Sequence, residues 1–508
     1  MTRWITRRQA LAETLAGTAL IATGCGSTRA PQADPHGSTL RTTYQDPGGT
    51  GSLTTGPGEP LLPRTELGPR VRTAGLLATI AHVTDTHVLD AASPARVTFL
   101  DRLGPPFQST FRPQETLTAQ VLAGALGAVR ALQPDAVIEG GDLIDNDQAN
   151  ELALALAVIT GGPTHPGSGP AGYFGVQSPV DADPFYYRPD LDSPRHPGLL
   201  EAATRAFTSP GIDGAWYPVL GDHDVLVAGE IAPTTQTRAL ALGGEAIWDL
   251  PPGLKAPAGL AAYRRATGAA GYSPDGPPSP ELVSGFLRQA LGGPAVRVPP
   301  DPARRELDAD ESLSRVRSAS GLPATGPLLD YHADIGADVR VLVLDLARRG
   351  GGSGGLVHVG QPAWLASELA AAGDRWIVVV SHQPLESSEG GGQILALLDR
   401  HPRVIAALYG HIHRNQIVAR GTPAGGYWLI GTASLIDYPQ QARALRILTT
   451  ADGGVAIQTW MLDHVFPGRL GTISRQLAYL DAQGGRPEGF IGTRLDRNVT
   501  LYRAAVSA

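Results

Sequence analysis

The hydrophobic residues of this chain are concentrated in short continuous runs that alternate with stretches of helical spacing. Helical spacing begins near Glu115 and returns at residues 362–372 and 393–398. The continuous runs, rich in strand-forming residues, cover 76–83, 135–142, 339–346, 375–382 and 404–413. Continuous apolar strands that alternate with helices are typical of sheets covered on both faces. This part of the pattern therefore predicts an α/β protein.

A later part of the chain has a different pattern. Residues 427–434, 445–450 and 455–463 form strand-like runs that follow one another too closely to leave room for helices. Closely spaced runs of this kind predict strands joined by short turns. We expect them to form a second, antiparallel sheet.

The spacing of Pro and Gly suggests how the chain is divided. Residues 31–70 contain seven Pro and seven Gly without apolar periodicity, which favours a flexible linker over 26–72. A folded domain is then expected over 73–480, followed by a C-terminal extension over 481–508. Residues 151–216 and 225–338 have weak periodicity, and we expect them to be insertions that form lobes beside the polar strand ends.

The first 25 residues have the pattern of an export signal. Arg7 and Arg8 precede an apolar run at 15–24 that is too short to span a bilayer. Residues 6–11 resemble a twin-arginine (Tat) export motif, although Ala10 stands where a bulkier apolar residue is usual. Residues 22–25 resemble a lipoprotein cleavage box, although Ala22 stands where Leu is common.

Cys25 is the only cysteine of the chain. It is either a chance residue of a signal peptide or the site of lipidation. Both interpretations predict an extracytoplasmic protein, either a cell-surface lipoprotein with an N-terminal membrane anchor or a secreted protein. Its mature part has no disulfide within the chain, so stability must come from the core and from any bound metal.

The charge balance excludes one class of partner. The chain has 41 Lys+Arg against 48 Asp+Glu, a formal net charge of −7. Binding to a phosphate backbone normally requires a basic excess. We therefore expect no nucleic-acid partner.

Polar residues follow five of the expected strands, at their carboxyl ends. They are Asp85 and His87, Asp142, Asp222 and His223, His382, and finally His411 and His413. Ligands bind at the carboxyl ends of strands in α/β sheets. Mixed imidazole and carboxylate ligands suit Mn, Fe or Zn, and the lack of thiolates argues against a structural zinc site. A carboxylate shared by two ions about 3.5–4 Å apart is the arrangement of two-metal phosphoryl hydrolases.

Each of these motifs alone is more often an ordinary turn. Together, in this order, they resemble the motifs of the calcineurin-like metallophosphoesterases: Asp85-Thr-His87, Gly141-Asp142, Gly221-Asp222-His223-Asp224, Ser381-His382 and Gly410-His411-Ile412-His413. The resemblance spans about residues 76–464 without the two insertions. Residues 360–369 and 429–443 are also similar to an exported bacterial branch of that family. The resemblance implies an α/β sandwich of two mixed sheets flanked by helices.

The resemblance also implies a role for each motif residue. Asp85, His87 and His413 would hold a first metal ion, and Asp222, His382 and His411 would hold a second. Asp142 would bridge the two ions. The ions would be Mn, Fe or Zn. A metal-bridging hydroxide would attack a phosphate mono- or diester, as in a phosphatase or phosphodiesterase. His223 would act as general acid, suited by an imidazole that titrates near neutral pH, and Asp224 would orient it.

Asp222 departs from the family pattern, which has Asn at this position. An aspartate keeps the oxygen ligand but lacks the N–H₂ that could donate to a phosphate, and it adds a negative charge. Three interpretations are open: a working hydrolase with weaker phosphate stabilisation, an enzyme for a less charged substrate such as a diester, or a metal-binding relic. The last corresponds to a surface-anchored metal-binding protein of the same fold with little or no activity.

Three further residues have less specific signals. His82, on the strand before the first motif, is expected to be a packed core residue. Asp145 is expected to shape the loop after Asp142. Arg188, within the aromatic stretch 185–190, is expected to belong to a packing cluster rather than to contact a substrate.

Overall fold

The structure is a computed structural model that describes residues 36–103, 107, 110–180, 183–255, 280–484 and 490–506. The expected signal at 1–25, with Cys25, lies outside the described residues. Within the described part of the chain, no helix is both long and apolar enough to cross a bilayer.

The strands and helices alternate over most of the chain. The strands are β1 (Thr42–Gln45), β2 (Thr54–Pro57), β3 (Leu62–Leu67), β4 (Thr73–Val83), β5 (Ala136–Glu139), β6 (Gly162–Thr164), β7 (Phe207–Ser209), β8 (Trp216–Pro218), β9 (Glu245–Ile247), β10 (Ala295–Arg297), β11 (Tyr331–Ile335), β12 (Val339–Leu344), β13 (Trp376–Ser381), β14 (Val404–Tyr409), β15 (Gln416–Arg420), β16 (Tyr427–Gly431), β17 (Gln441–Thr450), β18 (Val455–Asp463) and β19 (Val499–Arg503). The α-helices are α1 (Thr118–Leu132), α2 (Ala149–Thr160), α3 (Leu199–Ala203), α4 (Thr235–Leu242), α5 (Pro280–Ala290), α6 (Ala309–Ser320), α7 (Gln361–Ala371), α8 (Gly391–Leu398) and α9 (Gly468–Gly484).

Two large mixed sheets form the centre of the fold. The first has seven strands in the order β3-β19-β18-β17-β4-β5-β8, with β4, β5 and β8 parallel. The second has six strands in the order β11-β12-β13-β14-β16-β15, with β12, β13, β14 and β16 parallel. Because the carboxyl ends of parallel strands meet at one edge, each sheet brings its polar strand ends together.

The alternation of side chains along the strands produces four layers. One buried apolar cluster contains Ile80 and Ile138 of the first sheet together with Val341 and Val380 of the second. The next residues along the strands point to the opposite faces, where a second cluster joins the first sheet to α1 and α2 and a third joins the second sheet to α7 and α8. The predicted α/β class, with two mixed sheets flanked by helices, is confirmed.

The later strands are distributed differently from the prediction of one antiparallel second sheet. β16 is parallel to β14 in the six-stranded sheet, whereas β17 and β18 are antiparallel strands of the seven-stranded sheet, beside β4. The apolar runs predict strands correctly, but close spacing along the chain does not determine which strands pair.

The expected linker and C-terminal extension both contribute strands to the first sheet. β3, at 62–67 in the expected linker, lies parallel to β19, at 499–503 in the expected extension, and both belong to the seven-stranded sheet. Residues 42–45 and 54–57 pair as a separate antiparallel hairpin. β3 is an edge strand. Pro63 is tolerated there because one side of an edge strand forms no hydrogen bonds to another strand. The sheet therefore extends beyond the predicted limits of 73 and 480.

The two expected insertions also share residues with the core. The first begins inside α2, whose Leu152 and Ile159 pack in the helix layer of the first sheet. The second ends with β11, the edge strand of the six-stranded sheet. The parts that remain outside the sandwich are shorter than the sequence pattern suggests.

Candidate metal centre

The residues that carry chemistry lie where strands of both sheets end. Asp85 follows β4, Asp142 follows β5 and Asp222 follows β8, all in the first sheet. His382 directly follows β13, and His411 and His413 follow β14, both in the second sheet. Backbone bonds join the first two loops, since the amides of Asp85 and His87 donate to the carbonyls of Gly141 and Asp142 at 3.0 Å each.

Five of the seven predicted metal ligands have a backbone in the left-handed region. Their φ angles are 51° for Asp85, 42° for His87, 51° for Asp142, 64° for His411 and 51° for His413. A non-glycine residue in this region stores strain of about 1–3 kcal/mol, and such residues persist where the surrounding structure fixes them. Their concentration at one place is typical of a functional site.

One group of donor atoms lies around Asp222 and His382. Asp142 Oδ2 is 3.0 Å from His382 Nε2, and Asp222 Oδ1 is 3.5 Å from the same nitrogen. His411 Nδ1 lies 3.3 Å from Asp222 Oδ1. One donor atom from each of these four residues lies within 4.8 Å of all the others, so they could hold one ion.

A second group contains Asp85, His87 and His413. His413 Nε2 is 3.3 Å from Asp85 Oδ1 and 3.2 Å from His87 Nε2. The two groups meet at Asp142, whose Oδ2 is also 3.7 Å from His87 Nε2. The structure thus brings together all seven predicted ligands and places Asp142 between the two groups.

The charge of this cluster requires compensation. Asp85, Asp142 and Asp222 are each 0 % exposed, and within the described residues Asp142 Oδ2 and Asp222 Oδ2 have no hydrogen-bond partner. Burial raises the pKa of Asp85, but the imidazoles of His413 and its neighbours lower it by a larger amount, so the net shift of the pKa is downward. Buried carboxylates are stable only when paired or bound to metal. The donor set fits two cations.

Three imidazoles of the cluster, those of His87, His382 and His413, are oriented by a bond from the nitrogen that faces away from the donor groups. His87 Nδ1 is 3.2 Å from Asp145 Oδ1, and His382 Nδ1 is 2.8 Å from the carbonyl of Gly140. His413 Nδ1 is 2.6 Å from Asp437 Oδ2. Such partners fix the tautomer and point Nε2 at the metal site.

The sequence interpretation missed the role of Asp437. This buried carboxylate accepts from Arg112 Nε at 2.7 Å and contacts His413 with its other oxygen. It lies inside the segment 429–443 that resembles the exported branch, which is the only signal that could have drawn attention to it. Asp145 was expected to shape its loop, and in the structure it also orients His87.

His223 lies at the margin of the two groups. Its Nδ1 is 2.6 Å from the carbonyl of Asp145, and its ring meets the ring of His87 edge-on, with centroids 4.5 Å apart. Its backbone amide donates to Asp142 Oδ1 at 3.0 Å. Because Nδ1 faces a carbonyl, Nε2 is the nitrogen that can exchange a proton with a substrate.

Asp224, predicted to orient His223, bonds with its carboxylate to the backbone of neighbouring loops. Its two oxygens accept from the backbone amides of Gly221 at 2.8 Å, Asp142 at 3.0 Å, Leu143 at 3.0 Å and Ile144 at 3.3 Å. Burial, and then the charge of Asp142, raise the pKa of Asp224 to about 7. Asp224 joins the loops that carry Asp142 and Asp222, and the carbonyl of Asp145 orients His223 instead.

Glycines permit the close approach of these loops. A Cβ on Gly221 would lie 2.0 Å from Asp142 Oδ1. A Cβ on Gly229 would lie 2.4 Å from His223 Cδ2 and 2.6 Å from Asp222 Oδ2. The segment after the Asp222 motif therefore folds back directly onto His223 and Asp222.

Gly229→Ala is expected to lower the thermal stability of the protein. The added methyl overlaps atoms of the centre, and overpacking of this kind costs about 1–3 kcal/mol, in addition to the strain of an alanine at φ +68°. Gly336→Ala is the matched control, since its φ is +65° and nothing lies within 4 Å of the added Cβ. Melting curves of the two variants should differ, and equal losses in Tm would contradict the close approach.

The other candidate residues are structural. His82 is 0 % exposed and its Nδ1 is 2.8 Å from Thr432 Oγ1. Arg188 pairs with Asp192, with Nη2 and Oδ1 3.0 Å apart. His82 is thus packed in the core as expected, whereas the contact observed for Arg188 is an ion pair with Asp192 rather than an aromatic cluster.

Two groups of buried donors that share one carboxylate define a candidate dinuclear metal centre. No family model matches the chain, and no curated protein sequence matches it. Among solved structures, the chain is similar to a dimetal phosphatase from Danio rerio, at 12% identity and a TM-score of 0.36 over 77% of this chain and 99% of that chain.

Two further similarities to solved structures are weaker. One is to PhoD, at 12% identity and a TM-score of 0.26 over 85% of this chain and 81% of that chain. The other is to the sulfate thiohydrolase SoxB of Thermus thermophilus, at 15% identity and a TM-score of 0.19 over 30% of this chain and 28% of that chain.

Proposed function

We propose that this protein is an exported hydrolase of phosphate mono- or diesters that depends on two metal ions. The observation that carries the proposal is the position of Asp142, which lies buried between a group with Asp222, His382 and His411 and a group with Asp85, His87 and His413. Export rests on the N-terminal signal pattern, with Cys25 as the candidate site of a lipid anchor.

Two bound cations would lower the pKa of a coordinated water and offset the negative charge of the phosphoryl oxygens. The chain supplies the remaining parts. The partners of His87, His382 and His413 hold their rings in place, which limits reorganisation during the reaction. The carboxylate of Asp224 joins the loops of Asp142 and Asp222 because it accepts hydrogen bonds from backbone amides of both.

His223 is the residue proposed to donate a proton to the leaving oxygen. It is 5 % exposed and lies at the margin of the two groups of donors, with its ring against that of His87. The carbonyl of Asp145 fixes its ring through Nδ1. General acids placed in this way contribute about 10²–10⁴-fold to the rate.

Nearby arginines neutralise the partners of the ligands rather than the substrate. Arg112 pairs with Asp437 at 2.7 Å. Arg96 pairs closely with Glu115 and lies 3.7 Å from Asp145. The charge of a phosphate group would therefore be balanced mainly by the metal ions and by the imidazoles.

Asp222→Asn is expected to raise the hydrolysis of phosphomonoesters by about tenfold or more. The change removes a negative charge and adds an amide donor beside the position of a phosphate, and one such donor is commonly worth about 10²–10³ in rate. The measurement is kcat for a phosphomonoester and a phosphodiester with Mn²⁺ bound. A variant that keeps its metals but is no faster on the monoester would contradict the expected charge effect.

One observation favours a second function, that of a surface-anchored metal-binding protein with little turnover. The seven predicted ligands are nearly closed off, with His411 the most exposed at 6 %, and Gly229 lies against His223. A centre this enclosed could retain metal without admitting a large ester.

An assay on purified protein separates the two functions. Protein loaded with Mn²⁺ should hydrolyse a chromogenic phosphomonoester, a chromogenic diester or both, and lose this activity when a chelator removes the metal. Two bound ions without hydrolysis of either substrate would contradict the enzyme and support the metal-binding function.

A further inference from the structure

Gln383 is a buried amide in direct contact with a predicted metal ligand. It directly follows His382 after β13 and is 1 % exposed. Its Nε2 donates to Asp222 Oδ1 at 2.9 Å. Oδ1 is the same oxygen that lies 3.3 Å from His411 Nδ1 and 3.5 Å from His382 Nε2, so it is the oxygen of Asp222 that faces the second metal position.

The surroundings allow only one orientation of this amide. The same Nε2 donates its other hydrogen to the carbonyl of Ser353 at 3.2 Å. If nitrogen and oxygen were exchanged, Oε1 would face a carboxylate and a carbonyl, which are both acceptors. Both hydrogens of Gln383 Nε2 are therefore used, one of them on the charged oxygen of Asp222.

A chain of contacts connects this amide to the segment that covers the centre. Ser353 Oγ donates to Glu230 Oε1 at 2.9 Å, and the amide of Gly352 donates to the carbonyl of Glu230 at 2.8 Å. The next residue back, Gly229, lies against Asp222 Oδ2. Asp222 is thus held at Oδ1 by Gln383 and enclosed at Oδ2 by Gly229.

We propose that Gln383 is a positioning residue for Asp222, which holds Oδ1 toward the second metal position and partly offsets its charge with a neutral donor. The inference rests on the proposed two-metal function. A carboxylate already aligned by a hydrogen bond loses less freedom when it binds a cation, and loss of such a partner typically weakens metal affinity about 10–100-fold.

Gln383→Met tests the donor, since methionine has a similar length and no N–H group. In calorimetric titrations of metal-free protein with Mn²⁺, we expect the affinity for one of the two ions to fall about tenfold or more and the affinity for the other to fall less than about threefold. Gln383→Asn, which is one methylene shorter and keeps an amide, should show a loss in the same direction. It also serves if the methionine variant does not fold.

Two comparisons separate positioning from a general packing effect. In an Asp222→Asn background the charged acceptor is gone, so Gln383→Met should change the affinity less than about threefold, a difference measured by a double-mutant cycle. Gln120→Met is the matched control, because Gln120 is 2 % exposed and donates to the carbonyl of Ala203 at 2.7 Å. It should leave Mn²⁺ binding unchanged.

The outcomes distinguish this inference from the proposed function. Equal Mn²⁺ affinities in wild type and Gln383→Met, or equal losses with Asp222 and Asn at position 222, would overturn the role of Gln383 even if the enzyme hydrolyses esters. A Gln383-dependent affinity for the second ion in a protein that hydrolyses no ester would support it and remove only the proposed activity.

Discussion

Asp142→Asn is expected to reduce the metal content from two ions to at most one per chain and to lower ester hydrolysis by about 10³-fold or more. Asp142 Oδ2 is 3.0 Å from His382 Nε2 and 3.7 Å from His87 Nε2, so this one oxygen lies close to both groups of donors. An asparagine offers one neutral oxygen and cannot serve two cations equally. Metal analysis and initial rates with Mn²⁺ measure both effects.

Asp463→Asn is a suitable control for Asp142→Asn. Asp463 is 4 % exposed and accepts from Gln441 at 2.8 Å, outside the centre. Burial raises its pKa to about 6, so at pH 8 the carboxyl is ionised and the change removes a buried charge, as it does at Asp142. The control should keep both ions, and an Asp142→Asn variant with two ions and normal activity would contradict the bridging role.

His223→Ala is expected to lower kcat by about 10²–10⁴-fold while both metal ions stay bound. His223 contacts the centre from its margin, through its ring against His87 and its amide on Asp142 Oδ1, and the backbone bond remains after the change. The loss should be larger for an alkyl phosphate than for a nitrophenyl phosphate, because a poor leaving group depends more on protonation.

The leaving-group comparison makes the prediction for His223 specific. If the imidazole acted mainly as a third metal-binding residue with His87 and Asp142, a grouping that the donor distances also permit, the variant would lose metal. Equal losses for both substrates, or a loss of metal that parallels the loss of rate, would exclude the general-acid role.

The predicted ligands could be found from sequence because each directly follows a strand. Asp85, Asp142 and His382 come after continuous apolar runs, and parallel strands bring such ends to one edge. That property is local to each strand and needs no knowledge of which strands are neighbours. The two mixed sheets, by contrast, were expected from the family resemblance, because the strand pattern alone predicted an antiparallel second sheet.

The contacts that were missed depend on residues far apart in the chain. Asp437 reaches Arg112 across 325 positions, and Gln383 reaches Asp222 across 161 positions. No local pattern marks either pair. The sequence of β3 likewise resembles a linker, and only its pairing with the distant β19 identifies it as a strand. β16 was assigned to the wrong sheet because its partner β14 is not its neighbour in the chain.

Asp224 shows a different limit of sequence interpretation. Its position beside His223 suggested that it supports the imidazole, but neighbours along a turn point in different directions. Its carboxylate instead accepts from the amide of Gly221 and from three amides after β5. The carboxylate at position 224 indicated a residue of the centre, but its hydrogen-bond partners could be identified only from the three-dimensional structure.

The most direct test of the central claim is anomalous diffraction from crystals of the protein soaked in Mn²⁺. The arrangement of the centre predicts two peaks, one beside Asp85, His87 and His413 and one beside Asp222, His382 and His411, with Asp142 in contact with both. A single peak, or peaks away from these residues, would contradict a dinuclear centre and with it the proposed phosphoesterase.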